Sequence, residues 1–279
     1  MKTAQSIKSS YSGSIAKILL AGFVPALLFF LASSMRVSGI EKDNRERPVS
    51  VPILLYHRFG PAVADSMTVK TTVFESHLRY LRENGYTVIP LRNLVDYYLG
   101  KALPPPPRSV VITVDDGHRS VYTEMFPLIR KYRIPVTIFL YPSAISNASY
   151  AMTWEQLRVM QDQGLVDFQS HSYWHPDFRK EKKRLKPAEY ETFLNMQFRK
   201  SKEKIEKELG GTVYMLSWPF GICNEELVIR ASAAGYIAAF TMERRHASSG
   251  DNIMMLPRYL MANGNSGKTL ETILEGAPR

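Results

Sequence analysis

Two short stretches hold most of the residues able to do chemistry. Thr113-Val114-Asp115-Asp116-Gly117 supplies adjacent carboxylates, and His171-Ser172-Tyr173-Trp174-His175 supplies two imidazoles four residues apart. Each follows an apolar run that reads as a strand, so both sets should sit at strand ends. Asp116, His171 and His175 can hold a divalent metal and leave a position open for water. Asp115 is then free to take a proton from that water, which is the apparatus of metal-assisted hydrolysis. Neighbours at a strand end point in different directions, so one carboxylate can ligate while the other faces the water. Asp-Asp-Gly alone is common in turns; the histidine pair 55 residues beyond Asp116, with a hydrophobic strand before each, gives it weight. Pro176 follows His175 at once, so a loop or single turn rather than a continuing helix should converge the two rings. Two histidines and a carboxylate suit zinc, and also cobalt, nickel or iron.

The elements that must position these residues alternate. Val51 to Tyr56 reads as a strand delivering His57 to its C-terminal end, and Phe74, His77, Leu78 and Leu81 recur at helical spacing. Ser109–Val114, Val136–Tyr141, Val166–Ser170, Val213–Ser217 and Tyr236–Thr241 read as further strands, with a last one expected at Met254–Leu256. Helices are expected at Val121–Tyr132, after Thr153 with Gln156 completing a capping box, and over Asn224–Ala234. A long charged helix over Pro187–Leu209 should be closed by Gly210-Gly211. The singular polar residues follow strands, as in a barrel that gathers its site at the C-terminal face. A doubly wound sheet shares the alternation.

Residues 15–35 form the one long apolar stretch, with Lys17 its only charge and Lys2 and Lys8 ahead of it. It is long enough to span a bilayer, with residues 1–14 as a cytoplasmic flank. The expected organisation is that anchor, a linker over 36–50, and an extracytoplasmic domain over 51–279; cleavage near Ala32-Ser33-Ser34 would instead release the domain. Cys223, the single cysteine, excludes an internal disulfide. The net charge of +10 owes part to Arg179, Lys180, Lys182, Lys183, Arg184 and Lys186, which suits a solvated face or an anionic cell surface. Nucleic acid is not an expected partner, since export would separate the two and no zinc-finger spacing is present.

With these motifs in order, the chain resembles the polysaccharide deacetylase, or NodB-homology, family of carbohydrate esterases. Thr113–Gly117 resembles its first motif, His171–His175 its second, and Ser217–Gly221 its aromatic-proline-aromatic-glycine loop. The resemblance implies an α/β fold, a distorted (β/α)7-type barrel. It implies Asp115 as catalytic base, Asp116, His171 and His175 as ligands of one divalent metal, and removal of acetyl groups from N-acetylated sugars. Many members carry an arginine just ahead of the third motif to tether the base; here Met215, Leu216 and Ser217 stand there, and Arg258 is the candidate for that task. No histidine follows His246, so the general acid of a late family motif is missing. Leu54-Leu55-Tyr56-His57 resembles the branch that deacetylates poly-β-1,6-N-acetylglucosamine, an exopolysaccharide of biofilms, where this histidine serves as general acid.

The expected substrate is therefore an N-acetylglucosamine polysaccharide. Tyr173, Trp174, Trp218, Pro219 and Phe220 are the candidate groove or acetyl-pocket walls, with at least one of the aromatics in the core. Association with a polysaccharide synthase is a further expectation. Peptidoglycan, chitin-type oligomers or a lipid-linked amino sugar are the alternative substrates, and a noncatalytic, metal-stabilised glycan-binding protein is the alternative class.

Overall fold

The computed structural model of the protein describes residues 49–276. Seven strands make one parallel sheet: β1 (Ile53–Tyr56), β2 (Ser109–Asp116), β3 (Val136–Leu140), β4 (Val166–Ser170), β5 (Met215–Ser217), β6 (Ala238–Phe240) and β7 (Tyr259–Leu260). Their spatial order is β6-β5-β4-β3-β2-β1-β7, and a two-residue strand, Thr87–Val88, pairs beside the start of β2. The helices are α1 (Thr71–Glu83), α2 (Leu91–Tyr98), α3 (Phe126–Tyr132), α4 (Trp154–Gln161), α5 (Phe178–Arg184), α6 (Pro187–Asn195), α7 (Ser201–Leu209), α8 (Glu225–Ala233) and α9 (Lys268–Glu275).

Strands β1 and β3 are buried along their whole length, as parallel strands covered on both faces must be. Period-two alternation sorts the side chains into two layers. Ile53, Val111, Phe139, Met215, Ala238 and Phe240 form one apolar cluster. Leu54, Tyr56, Ile112, Val114, Ile138, Leu140, Leu216 and Trp218 belong to the other, together with the buried residues of α1, α4, α6, α7 and α8.

One stretch touches both edges of the curled sheet. Leu256 bridges Phe240 of β6, donating its N–H to Ala239 at 2.9 Å. Three residues later Tyr259 pairs with Leu54 of β1, and the Met261 N–H reaches Leu55 at 2.8 Å. The result is a distorted, incompletely closed barrel. The strand expected at Met254–Leu256 is corrected: Ile253–Met255 is a 3-10 turn capped by Asn252, and Pro257 has no N–H with which to continue a ladder.

Thr153 and Gln156 form the expected capping box on α4. The long helix over 187–209 is interrupted by a π-helical turn at Met196–Lys200 and ends at Gly210, whose φ is 72°. The expected flank, apolar anchor and linker up to residue 48 lie outside the described residues. Among the described residues no helix is long and apolar enough to cross a membrane.

Candidate active site

Parallel register lines up the strand ends. Tyr56 pairs with Val114, Asp115 with Phe139, Asp116 and Ser170 with Leu140, and Leu216 with Ser170. His57, Asp115, Asp116, Tyr141, His171 and Ser217 thus come side by side at the C-terminal ends of β1 to β5, the end where barrels collect their sites.

Asp116, His171 and His175 bring one ligand atom each to within 4.8 Å of one another. Period two would send Asp116 to the opposite face from Asp115. Its φ of 76°, followed by the same value at Gly117, turns the chain out of the strand. A Cβ at Gly117 would lie 2.8 Å from Leu140 Cδ2 and 2.9 Å from Ile145 Cδ1, so only glycine fits. Ser172 and His175 also have positive φ, 63° and 60°, which lets the short loop bring the two rings to 4.5 Å between centroids. Such conformations persist where the surroundings over-determine them.

The donor set fits a divalent metal. His171 Nδ1 lies 2.8 Å from the Ser217 carbonyl, which can only accept, so the proton is on Nδ1 and Nε2 carries a free lone pair. Burial pushes His171 down to about 3 and lowers His175, so both rings are neutral, as metal ligands must be. Burial raises Asp116, opposed by His57.

Asp115 is buried and tethered. Arg258 reaches its Oδ1 at 2.9 Å and its Oδ2 at 2.8 Å, and the Ser217 hydroxyl donates to Oδ2 at 2.7 Å. Burial pushes the Asp115 carboxyl up, but Arg258 and His171 outweigh it and hold it well below the usual carboxylate range. Arg258 is fully buried, donates Nε–H to the Thr241 carbonyl at 3.1 Å, and lies over the rings of Phe139 and Phe240. It sits on the stretch that spans the two sheet edges.

A cavity of about 280 Å³ opens on this site, lined by His57, Arg58, Met67, Asp115, Asp116, Tyr141, His171, His175, Trp218, Phe220 and Met242. The buried Nδ1 of His57 has no hydrogen-bond partner among the described residues. Burial lowers the pKa of His57, against the pull of Asp115 and Asp116.

The sequence-derived groove residues separate. Phe220, at φ 56° and 54% exposed, packs edge-on against His175 at the mouth. Trp218 lines the cavity from within the core: it is fully buried, donates its indole N–H to the Met254 carbonyl, and packs on Phe198. Trp174 is exposed; Tyr173 carries Lys200 over its ring; neither they nor the buried Pro219 line the cavity. The Tyr173 amide is not free for an oxyanion, since both it and the Trp174 amide donate to Gln197 Oε1.

Sequence reasoning missed Ser217, Tyr141, Arg58, Met67 and Met242. Tyr141 could have been found, because it follows β3 as His171 follows β4. Met67 and Met242 come from loops and left no such signal.

Comparison with known proteins adds four likenesses. Residues 102–239 match the polysaccharide deacetylase family. The chain is 28% identical over 230 residues to the protein YxkH of Bacillus subtilis strain 168, spanning 82% of this chain and 78% of that one. It is 24% identical over 264 residues to the poly-beta-1,6-N-acetyl-D-glucosamine N-deacetylase of Escherichia coli K12, over 80% of this chain but only 39% of that relative's length. The solved Streptococcus pyogenes deacetylase PplD, in complex with acetate, shares the fold with a TM-score of 0.73 at 21% identity, over 82% of this chain and 99% of that one.

Proposed function

Since the chain belongs to the polysaccharide deacetylase family, we propose that it removes N-acetyl groups from poly-β-1,6-N-acetyl-D-glucosamine, with one zinc ion held by Asp116, His171 and His175. The Asp116, His171 and His175 triad and the family make this a metal-dependent hydrolytic deacetylase. The observation that carries the finer reading is His57. The Leu-Leu-Tyr-His sequence ends β1 so that its imidazole lines the same cavity as Asp115. The Escherichia coli relative bears this substrate in its name, which supports the same choice. Residues 15–35 would tether the domain outside the cytoplasm, on the strength of their apolar run and the lysines before it.

A bound divalent metal would polarise the acetamide carbonyl and lower the pKa of water at the site. Asp115, ionised and held by the Arg258 fork, accepts the proton of the attacking water. Oδ1 of that carboxylate takes a single hydrogen bond from Arg258, while Oδ2 also accepts from Ser217 and lies 3.6 Å from His171 Nε2, on the side of the triad. His57 gives a proton to the departing nitrogen as the C–N bond breaks, leaving acetate and a free amine. Burial opposes the charge on His57 and the two aspartates favour it, which suits a group that must release its proton readily. Asp115 and His57 lie buried at the wall of the cavity, which limits bulk water around them.

The test is acetate release by the full chain, with and without zinc, from β-1,6-linked N-acetylglucosamine oligomers, chitin oligomers and peptidoglycan. Zinc-dependent release from the β-1,6 oligomers is expected. Release from chitin oligomers or peptidoglycan alone would keep the reaction and replace the substrate. Zinc binding without release from any of them would sink the enzymatic reading in favour of a glycan-binding protein.

A further inference from the structure

Helix α6, the π-helical turn and α7 bury a stripe that includes Tyr190, Leu194, Phe198 and Ile205. Gln197 stands in this stripe, fully buried, where burial favours an apolar side chain. A buried amide is costly unless its hydrogen bonds are made. Its Oε1 accepts from two successive backbone amides, Tyr173 and Trp174, at 3.1 Å each. These lie between His171 and His175.

The same loop is held at its other peptide groups. Ser201, one turn along, donates its hydroxyl to the Ser172 carbonyl at 3.0 Å, and Ser143 N–H donates to the Tyr173 carbonyl at 3.0 Å. Ser172 N–H goes to Ser170 Oγ and His175 N–H to Ser172 Oγ, both at 3.2 Å. The loop contains two non-glycine residues at positive φ, Ser172 and His175, and would relax if its amides were released. π-Helical turns recur at functional sites, and this one carries the residue that fixes the loop.

We propose that Gln197 is a positioning residue for the metal centre: its amide oxygen, holding the Tyr173 and Trp174 N–H groups, fixes the loop that aims His175 at the metal shared with Asp116 and His171. It touches neither metal nor substrate and acts through the backbone. The inference rests on the triad being the metal site.

The test is zinc affinity of the full chain, measured by competition with a chromophoric chelator, alongside thermal unfolding of the zinc-free protein. Gln197→Leu removes the acceptor at nearly constant size, Gln197→Asn withdraws it by one methylene, and Gln197→Glu keeps an oxygen in place. Gln197→Leu and Gln197→Asn should weaken zinc binding by about 10–100-fold, the range for lost support of a metal ligand. Gln197→Glu should stay within about threefold of the wild type. In a His175→Ala background, Gln197→Leu should have little further effect, because the two changes then share one cause. If Gln197→Leu does not fold, Gln197→Asn against Gln197→Glu gives the same comparison. Wild-type affinity in a folded Gln197→Leu or Gln197→Asn protein overturns the proposal, as does a full further loss in the His175→Ala background. A wild-type chain that binds no zinc overturns the metal reading itself, and this proposal with it.

Discussion

Arg258 grips Asp115 with both arms of its guanidinium, at 2.9 Å to Oδ1 and 2.8 Å to Oδ2, in a fully buried setting. The two residues are 143 positions apart in the chain. The arginine arrives from the stretch between Leu256 and Met261, which pairs with β6 at one end and β1 at the other. The element that bridges the barrel's two edges therefore also fixes the carboxylate at its centre.

Replacing Arg258 by methionine should leave Asp115 as an uncompensated buried charge. The expected loss of stability is about 3–5 kcal/mol, the usual cost of breaking a buried pair on one side. Arg258→Lys keeps the charge without the fork and should fall between the two. Urea unfolding at neutral pH measures it, and a loss below about 1 kcal/mol for Arg258→Met would show that the pair holds little.

His57 and the metal triad should separate in their effects. His57→Ala should lower acetate release by about 10²–10⁴-fold, the range for a general acid or base. Zinc affinity should stay close to the wild type, because His57 is outside the triad. Parallel loss of zinc binding would move His57 from proton transfer to metal support.

His171 makes the zinc-free protein acid-sensitive. Its folded pKa of about 3 lies below the ordinary value of 6.5, chiefly through burial. Between those values the unfolded chain binds the extra proton, so stability rises with pH through this window and is complete above it. Acidification from pH 6.5 toward 3 should therefore destabilise the zinc-free protein, and His171→Gln should flatten that slope. Urea midpoints at several pH values decide it; equal slopes in both proteins would count against a buried neutral His171.

Trp218 and Phe220 flank one proline and should behave oppositely. Trp218→Ala should cost about 3–5 kcal/mol of stability, as for a fully buried aromatic ring. Phe220→Ala, at the exposed mouth, should change stability by less than about 1 kcal/mol and act on substrate affinity instead. Thermal melts with a substrate titration compare them. A stable Trp218→Ala protein with weakened substrate binding would make Trp218 chiefly a wall of the site rather than a packing residue.

The sequence by itself determined the strand-end placement of Asp115, Asp116, His171 and His57, because apolar runs followed by singular polar residues are a local signal. It also determined the α4 capping box and the extent of the 187–209 helix, whose cues lie within a few residues. Only the tertiary structure decided which groups support the site. Arg258 could be named from the sequence as a candidate, but its fork on Asp115 depends on where a non-strand stretch crosses the barrel gap. Ser217 and Trp218 are adjacent in the same motif, yet strand alternation aims the first at Asp115 and packs the second against Phe198. Gln197 reads as one polar residue in a charged helix, and its contact with the histidine loop spans 24 residues that only packing brings together. Local pattern fixes what each segment is and which groups end it; the partners of those groups follow from long-range register and closure, which no local window contains.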